Sequence, residues 1–150
     1  MKNFLDTIFL RSNNLSYISE NIKDLTKKTS ANKIFQAINS FTSESEIRYV
    51  GGCIRKIINK ETVNDIDMAT NLDPQKVCEV LKENKIDYYE TGIEHGTITA
   101  LIEGYKFEIT SLREDILTDG RHAKVKFSKN WKEDALRRDF TINSIYADED

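Results

Sequence analysis

The sequence predicts an α/β fold of the α+β kind. A helical extension over residues 1–45 precedes a larger unit over residues 46–150. Three observations carry this prediction. The first 45 residues hold no glycine or proline, and their apolar residues recur at helical spacing. From Ile47 onward the pattern changes to short apolar runs punctuated by glycine, which read as strands. Between those runs, Asp73-Pro74 opens a stretch whose Val77, Val80 and Leu81 make one apolar helix stripe.

The elements follow in order. Phe4, Leu5, Ile8 and Phe9 predict a short helix, followed by a polar connector. Ile34, Phe35, Ile38 and Phe41 predict a second, amphipathic helix from about Ala31 to Ser40. This segment is expected to be a packing arm without chemistry. Ile47–Val50 reads as a strand running into Gly51-Gly52 and then a short helix with Ile54, Ile57 and Ile58. Asp65–Ala69 is a second strand. Asp73 is the expected N-cap of the next helix, with proline at its first position. Further strands are expected at Asp87–Tyr89, Thr97–Ile102 and Lys106–Ser111, with a tight turn at Glu103-Gly104 joining the last two. Arg113–Asn130, polar with one glycine, is expected to be a mobile loop, and a helix begins near Trp131.

With 150 residues the chain is long enough for one real core. A 39% hydrophobic and 31% charged composition excludes wholesale disorder. A net charge of −3 excludes gripping nucleic acid through overall positive charge, so any RNA contact needs a local patch. One exists: between Arg121 and Arg138, seven basic side chains face only two acidic ones. Cys53 and Cys78 sit in no metal-ligand motif and are expected to be reduced thiols. No apolar run approaches membrane-spanning length, and Met1–Arg11 lacks a signal-peptide pattern, so a cytoplasmic protein with no membrane partner is expected.

Asn64-Asp65-Ile66-Asp67-Met68-Ala69 is the stretch richest in chemistry. On a strand, Asp65 and Asp67 share one face while Ile66 and Met68 take the other. Two like charges so placed repel and resist desolvation, which divalent cations would relieve. Taken alone, an Asp-x-Asp is also what a solvated strand shows. Upstream, a strand ending in Gly51-Gly52 and opening a helix offers backbone N–H groups to phosphates, and Arg55 stands one turn in. An ordinary glycine turn would look the same. Phe107-Glu108-Ile109-Thr110 alternates likewise. Glu108 completes a three-carboxylate cluster if its strand neighbours that of Asp67, and is otherwise an exposed edge residue.

Taken together, these motifs resemble the class II tRNA nucleotidyltransferase (CCA-adding enzyme) and bacterial poly(A) polymerase family. The resemblance begins with Gly51-Gly52-Cys53-Ile54-Arg55 and Asp65-Ile66-Asp67-Met68-Ala69-Thr70. It continues through Thr91-Gly92-Ile93-Glu94-His95-Gly96-Thr97, Phe107-Glu108-Ile109-Thr110-Ser111-Leu112-Arg113 and Asp119-Gly120-Arg121. It closes with Asp134-Ala135-Leu136-Arg137-Arg138-Asp139-Phe140-Thr141-Ile142-Asn143. The match runs over about residues 47–147, in the family's order.

The resemblance implies a polymerase-β-like head: a mixed sheet backed by helices. It implies transfer of NMP from CTP or ATP to an RNA 3′-hydroxyl, most directly that of tRNA, with magnesium held by Asp65, Asp67 and Glu108. Gly51, Gly52 and Arg55 would contact the triphosphate. Arg113, Asp134, Arg137, Arg138, Asp139 and Asn143 would complete the nucleotide site. Read physically, Asp134 and Arg138 stand four apart on one helix face and can pair. Asn143 can both donate and accept, as a ribose hydroxyl requires. His95 is expected to stabilise a turn. The sequence departs from the family at Lys56, where an acidic residue is usual. The family's base-selecting neck, body and tail are not found before Asp150. Two further readings therefore stay open: an incomplete nucleotide- or RNA-binding half completed by a second polypeptide, and a poly(A) polymerase.

Overall fold

The computed structural model describes residues 4–116, 124–139 and 141–150, with side chains from Leu15 onward except at 115, 124, 125, 141 and 142. The chain opens with α1 (Phe4–Thr29) and α2 (Asn32–Asn39). The expected polar connector is instead helical. Ile18, Ile22 and Leu25 are spaced to make one apolar stripe and pack into the core, and this tertiary burial outweighs a polar local composition. Thr26 and Thr29, also buried, donate their hydroxyls back to the carbonyls of Ile22 (2.9 Å) and Leu25 (2.7 Å). Ser30, at φ +57°, ends α1 in the left-handed region and turns the chain into α2. The stripe Ile34, Phe35 and Ile38 is fully buried, as the spacing predicts.

The strands β1 (Ile47–Val50), β2 (Ile66–Thr70), β3 (Asp87–Gly92), β4 (Thr97–Ile102), β5 (Tyr105–Ser111) and β8 (Tyr146–Ala147) form one sheet in the order β3-β4-β5-β2-β1-β8. The pairing of β2 with β5 is parallel and all the others are antiparallel, so the sheet is mixed. Helices α3 (Gly52–Ile58) and α4 (Pro74–Glu83) make the crossings. The fold class is as the sequence predicts. Ile66, Met68, Phe107 and Ile109 alternate into a core shared with α1 and α2. Glu103 and Gly104, both at positive φ, form the tight β4–β5 turn.

Asp73 caps α4, accepting from the Lys76 amide at 3.0 Å, with Pro74 at the first turn. Asp73→Ala is expected to lower stability by about 1 kcal/mol, read as a lower urea midpoint at unchanged slope.

Arg113–Asn130 differs from the expected loop. Its described flanks pair as an antiparallel ribbon of β6 (Arg113–Ile116) and β7 (Lys124–Phe127), with a Glu114–Lys126 ion pair across it. The alternating Lys124-Val125-Lys126-Phe127 carries the strand signal that high polarity conceals. Residues 117–123, with Arg121 of the basic patch and the Asp119-Gly120-Arg121 motif, lie outside the described residues. The helix expected near Trp131 is α5 (Trp131–Leu136), capped by Asn130. Among the described residues, no helix is long and apolar enough to cross a membrane.

Candidate active site

A cleft of about 530 Å³ opens where β1 runs into α3, bounded on its far side by the segment after α5. Eight of the residues singled out from the sequence line it: Gly51, Gly52, Asp67, Arg113, Arg137, Arg138, Asp139 and Asn143. Asp65, Glu108, Arg55 and Asp134 do not.

Asp67 lies half-buried on β2, directly opposite Glu108 in the parallel register with β5. Burial, then the negative charges of Glu108 and Asp65, hold the Asp67 carboxyl above the usual carboxylate range. Arg138 and Lys56 only partly offset them. Asp65 stands just before the strand, with 84% of its side chain exposed, and Lys56 reaches it at 3.5 Å. Lys56, the residue that departs from the family pattern, thus adds positive charge beside the acids.

Among the described residues, no three acidic, histidine or cysteine side chains close around a metal-sized centre. The donor set nevertheless suits an open magnesium site, which takes one or two carboxylates and leaves the rest to water and phosphate oxygens. A Cβ on Gly52 would come within 3.3 Å of Asp67 Oδ2, so glycine at this position keeps the carboxylate accessible. The excess negative charge around Asp67 is what a divalent cation would neutralise.

The glycine turn is set by backbone geometry. Gly51 sits at φ +62°, ψ −112°, a region that residues with a Cβ avoid, and its N–H donates to Ile145 O at 3.0 Å. The first amides of α3 have no intrahelical acceptors. Arg55, expected at the triphosphate, instead donates from Nη1 to Asn143 Oδ1 at 2.7 Å and orients that amide at the cleft.

Asp134, expected as a nucleotide contact, is placed differently: it is fully buried and held by four residues. Its Oδ1 accepts from the Arg113 amide (3.2 Å), Arg137 Nε (3.0 Å) and Arg137 Nη2 (2.9 Å). Its Oδ2 accepts from Arg138 Nε and Nη2 (3.1 Å each) and from the Tyr146 hydroxyl (2.6 Å). Burial alone would raise this carboxyl, but the Tyr146 hydroxyl and the two guanidinium groups hold it below the usual range. Burial and the bond to Asp134 push the Tyr146 hydroxyl up to about 12.

Arg113 also donates from Nη1 to the His95 carbonyl at 2.9 Å, anchoring the ribbon to the Ile93–His95 turn. His95, Thr97 and Thr110 line the cleft as well, the two threonine hydroxyls 3.2 Å apart. Thr110 shares a strand face with Glu108, so alternation could have marked it. Nothing local marks Tyr146.

This arrangement can hold a polyphosphate between an arginine pair and a glycine turn, with a carboxylate at one end. Comparison with known proteins points the same way. The family model of the poly A polymerase head domain matches residues 47–150. CCA tRNA nucleotidyltransferase 1, mitochondrial, of Homo sapiens is 39% identical over 148 residues, which is 97% of this chain and 31% of that protein. The CCA-adding enzyme of Lactobacillus delbrueckii subsp. bulgaricus is 41% identical over 102 residues, 67% of this chain and 25% of that one. Among solved structures, the Bacillus stearothermophilus CCA-adding enzyme in complex with CTP aligns with a TM-score of 0.67 at 26% identity, covering 81% of this chain and 27% of that chain. The chain thus spans a quarter to a third of the length of these relatives. With residues from five of its motifs lining one cleft and its last two-thirds matched by the family model, this chain belongs to the poly A polymerase head-domain family.

Proposed function

We propose that this chain is the catalytic head of an RNA nucleotidyltransferase that adds CMP and AMP to the 3′ end of tRNA. The observation that carries the reading is the meeting of Asp67, the Gly51-Gly52 turn and the Arg137–Arg138 pair in one cleft. Arg137 and Arg138 would bind the triphosphate and draw charge away from the pyrophosphate as it leaves. Asn143, oriented by Arg55, would bind the ribose hydroxyls. Asp67, with Asp65 and Glu108 beside it, would hold magnesium. Magnesium bound there would activate the RNA 3′-hydroxyl and stabilise the pyrophosphate. The CTP complex of the bacterial relative supports nucleotide as ligand.

The side chains of this cleft suit phosphate and ribose. The groups that choose between cytosine and adenine would then come from the neck that the family resemblance implies, on the same or a second polypeptide. Two free cysteines fit a reducing compartment, and the cytoplasm is the location we propose.

The test is incorporation of labelled CTP and ATP onto tRNA lacking its terminal CCA, with magnesium, against an Asp65→Ala/Asp67→Ala control. Magnesium-dependent incorporation lost in the control is expected. Runs of A alone would favour poly(A) synthesis, and nucleotide binding without incorporation would favour an incomplete half.

A further inference from the structure

We infer that Asp134 and Tyr146 form a buried clamp that fixes Arg137 and Arg138 in the geometry that binds polyphosphate, without touching the nucleotide. The inference rests on reading the cleft as a nucleotide site, and it assigns positioning residues to that site.

A carboxylate with 1% of its side chain exposed is costly unless every lone pair is engaged. Asp134 meets that condition by gripping both guanidinium groups along the same edge, through Nε and Nη2. Both arginines line the cleft, and Arg138 Nη1, on the opposite edge of its fork, also donates to the Asn143 carbonyl at 3.5 Å. Arg137 and Arg138 keep only 15% and 18% of their side chains exposed, so they enter binding already ordered. Long side chains held in place beforehand lose little rotamer freedom when a ligand arrives.

Tyr146 closes the clamp. Its hydroxyl donates to Asp134 at 2.6 Å, and its ring packs edge-on to Trp131 at 5.3 Å and beneath Arg138 at 5.6 Å. The carboxylate that accepts two bonds from Arg138 and the ring beneath it thus constrain this guanidinium together. The residues converge from α5 and β8, and the Arg113 amide adds a bond from the start of the ribbon.

A purely structural Asp134 would affect stability and nothing else. A positioning Asp134 acts through the arginines, so its effect on affinity must vanish once they are gone. The experiment measures dissociation constants of the 150-residue chain for inorganic tripolyphosphate and for CTP with magnesium. Asp134→Asn is expected to weaken binding of each probe roughly tenfold and Tyr146→Phe roughly threefold, the scale of one or two hydrogen bonds. Either change placed on Arg137→Ala/Arg138→Ala is expected to weaken CTP binding no further. If Asp134→Asn does not fold, Tyr146→Phe, which keeps the ring, decides alone. Unchanged affinity in folded Tyr146→Phe overturns the clamp, and so does an undiminished loss on the arginine-free background. A parent chain that binds neither probe sinks the nucleotide reading itself. A parent chain that binds, with unaffected variants, sinks the clamp only.

Discussion

Asp67→Asn is expected to abolish nucleotide transfer while making the metal-free chain more stable. Loss of the carboxylate removes the one acid that the glycine turn and the arginine pair share the cleft with, apart from Asp139. A bound metal supplies several kcal/mol of transition-state stabilisation, so a fall of roughly 10³-fold or more is expected in the incorporation assay. Stability moves the other way because Asp67 faces Glu108 across the parallel ladder, and Asp65 is near. Relief of one like-charge pair is worth up to about 1 kcal/mol.

The pH dependence follows from the same repulsion. The folded-state pKa of Asp67 lies above its ordinary value, so the folded chain holds a proton that the unfolded chain has already released. In chelator, Asp67 therefore contributes stability that is lost as pH rises through that interval, and this contribution should disappear in Asp67→Asn, seen as a difference from the parent chain. Thermal melts from pH 3 to 7 check both statements. Transfer that survives the substitution would remove Asp67 from the chemistry, and a lower melting temperature would contradict the repulsion.

Gly51→Ala is expected to be the most damaging single-methyl change at the cleft. The added Cβ meets nothing closer than Asn143 O at 3.4 Å, an ordinary contact, so crowding is minor. Conformation decides the outcome. At φ +62° and ψ −112° the backbone is in glycine territory, and holding alanine there costs about 2 kcal/mol. That corresponds to a drop in melting temperature of about 6 °C for a chain of this size. Relaxing the turn would also pull the amide from Ile145 and tilt the start of α3, weakening nucleotide binding. Gly52→Ala makes the contrast. It is not at positive φ, and its Cβ would press on Asp67 Oδ2, so transfer should fall with little change in melting temperature. Equal melting temperatures for Gly51→Ala and the parent chain would show that the turn relaxes freely.

Much of the fold was legible because its signals are local. The alternation through Ile66-Asp67-Met68 and Phe107-Glu108-Ile109 told which side chains face the core. The Asp73-Pro74 cap and the Glu103-Gly104 turn each depend on a few neighbouring residues. The continuous α1 was not legible, because residues 11–16 are polar apart from Leu15 and it is packing of Ile18, Ile22 and Leu25 that draws the helix on. The β6–β7 ribbon was missed for a related reason: four-residue strands rich in Lys and Glu look like loop until they are paired.

The sequence by itself determined the fold class, the family and the chemical type of the cleft: an acid at Asp67, a glycine turn, and an arginine pair. These are properties of residue type, spacing and alternation, which the chain carries before it folds. Only the tertiary structure decided which of those groups meet. The parallel pairing of β2 with β5 set Glu108 beside Asp67, the turn after α5 sent Arg55 to Asn143 rather than to the open cleft, and β8 delivered Tyr146 onto Asp134. The physical reason is that alternation assigns a side chain to a face but does not choose the strand beside it. That choice depends on how distant segments close together around the shared core.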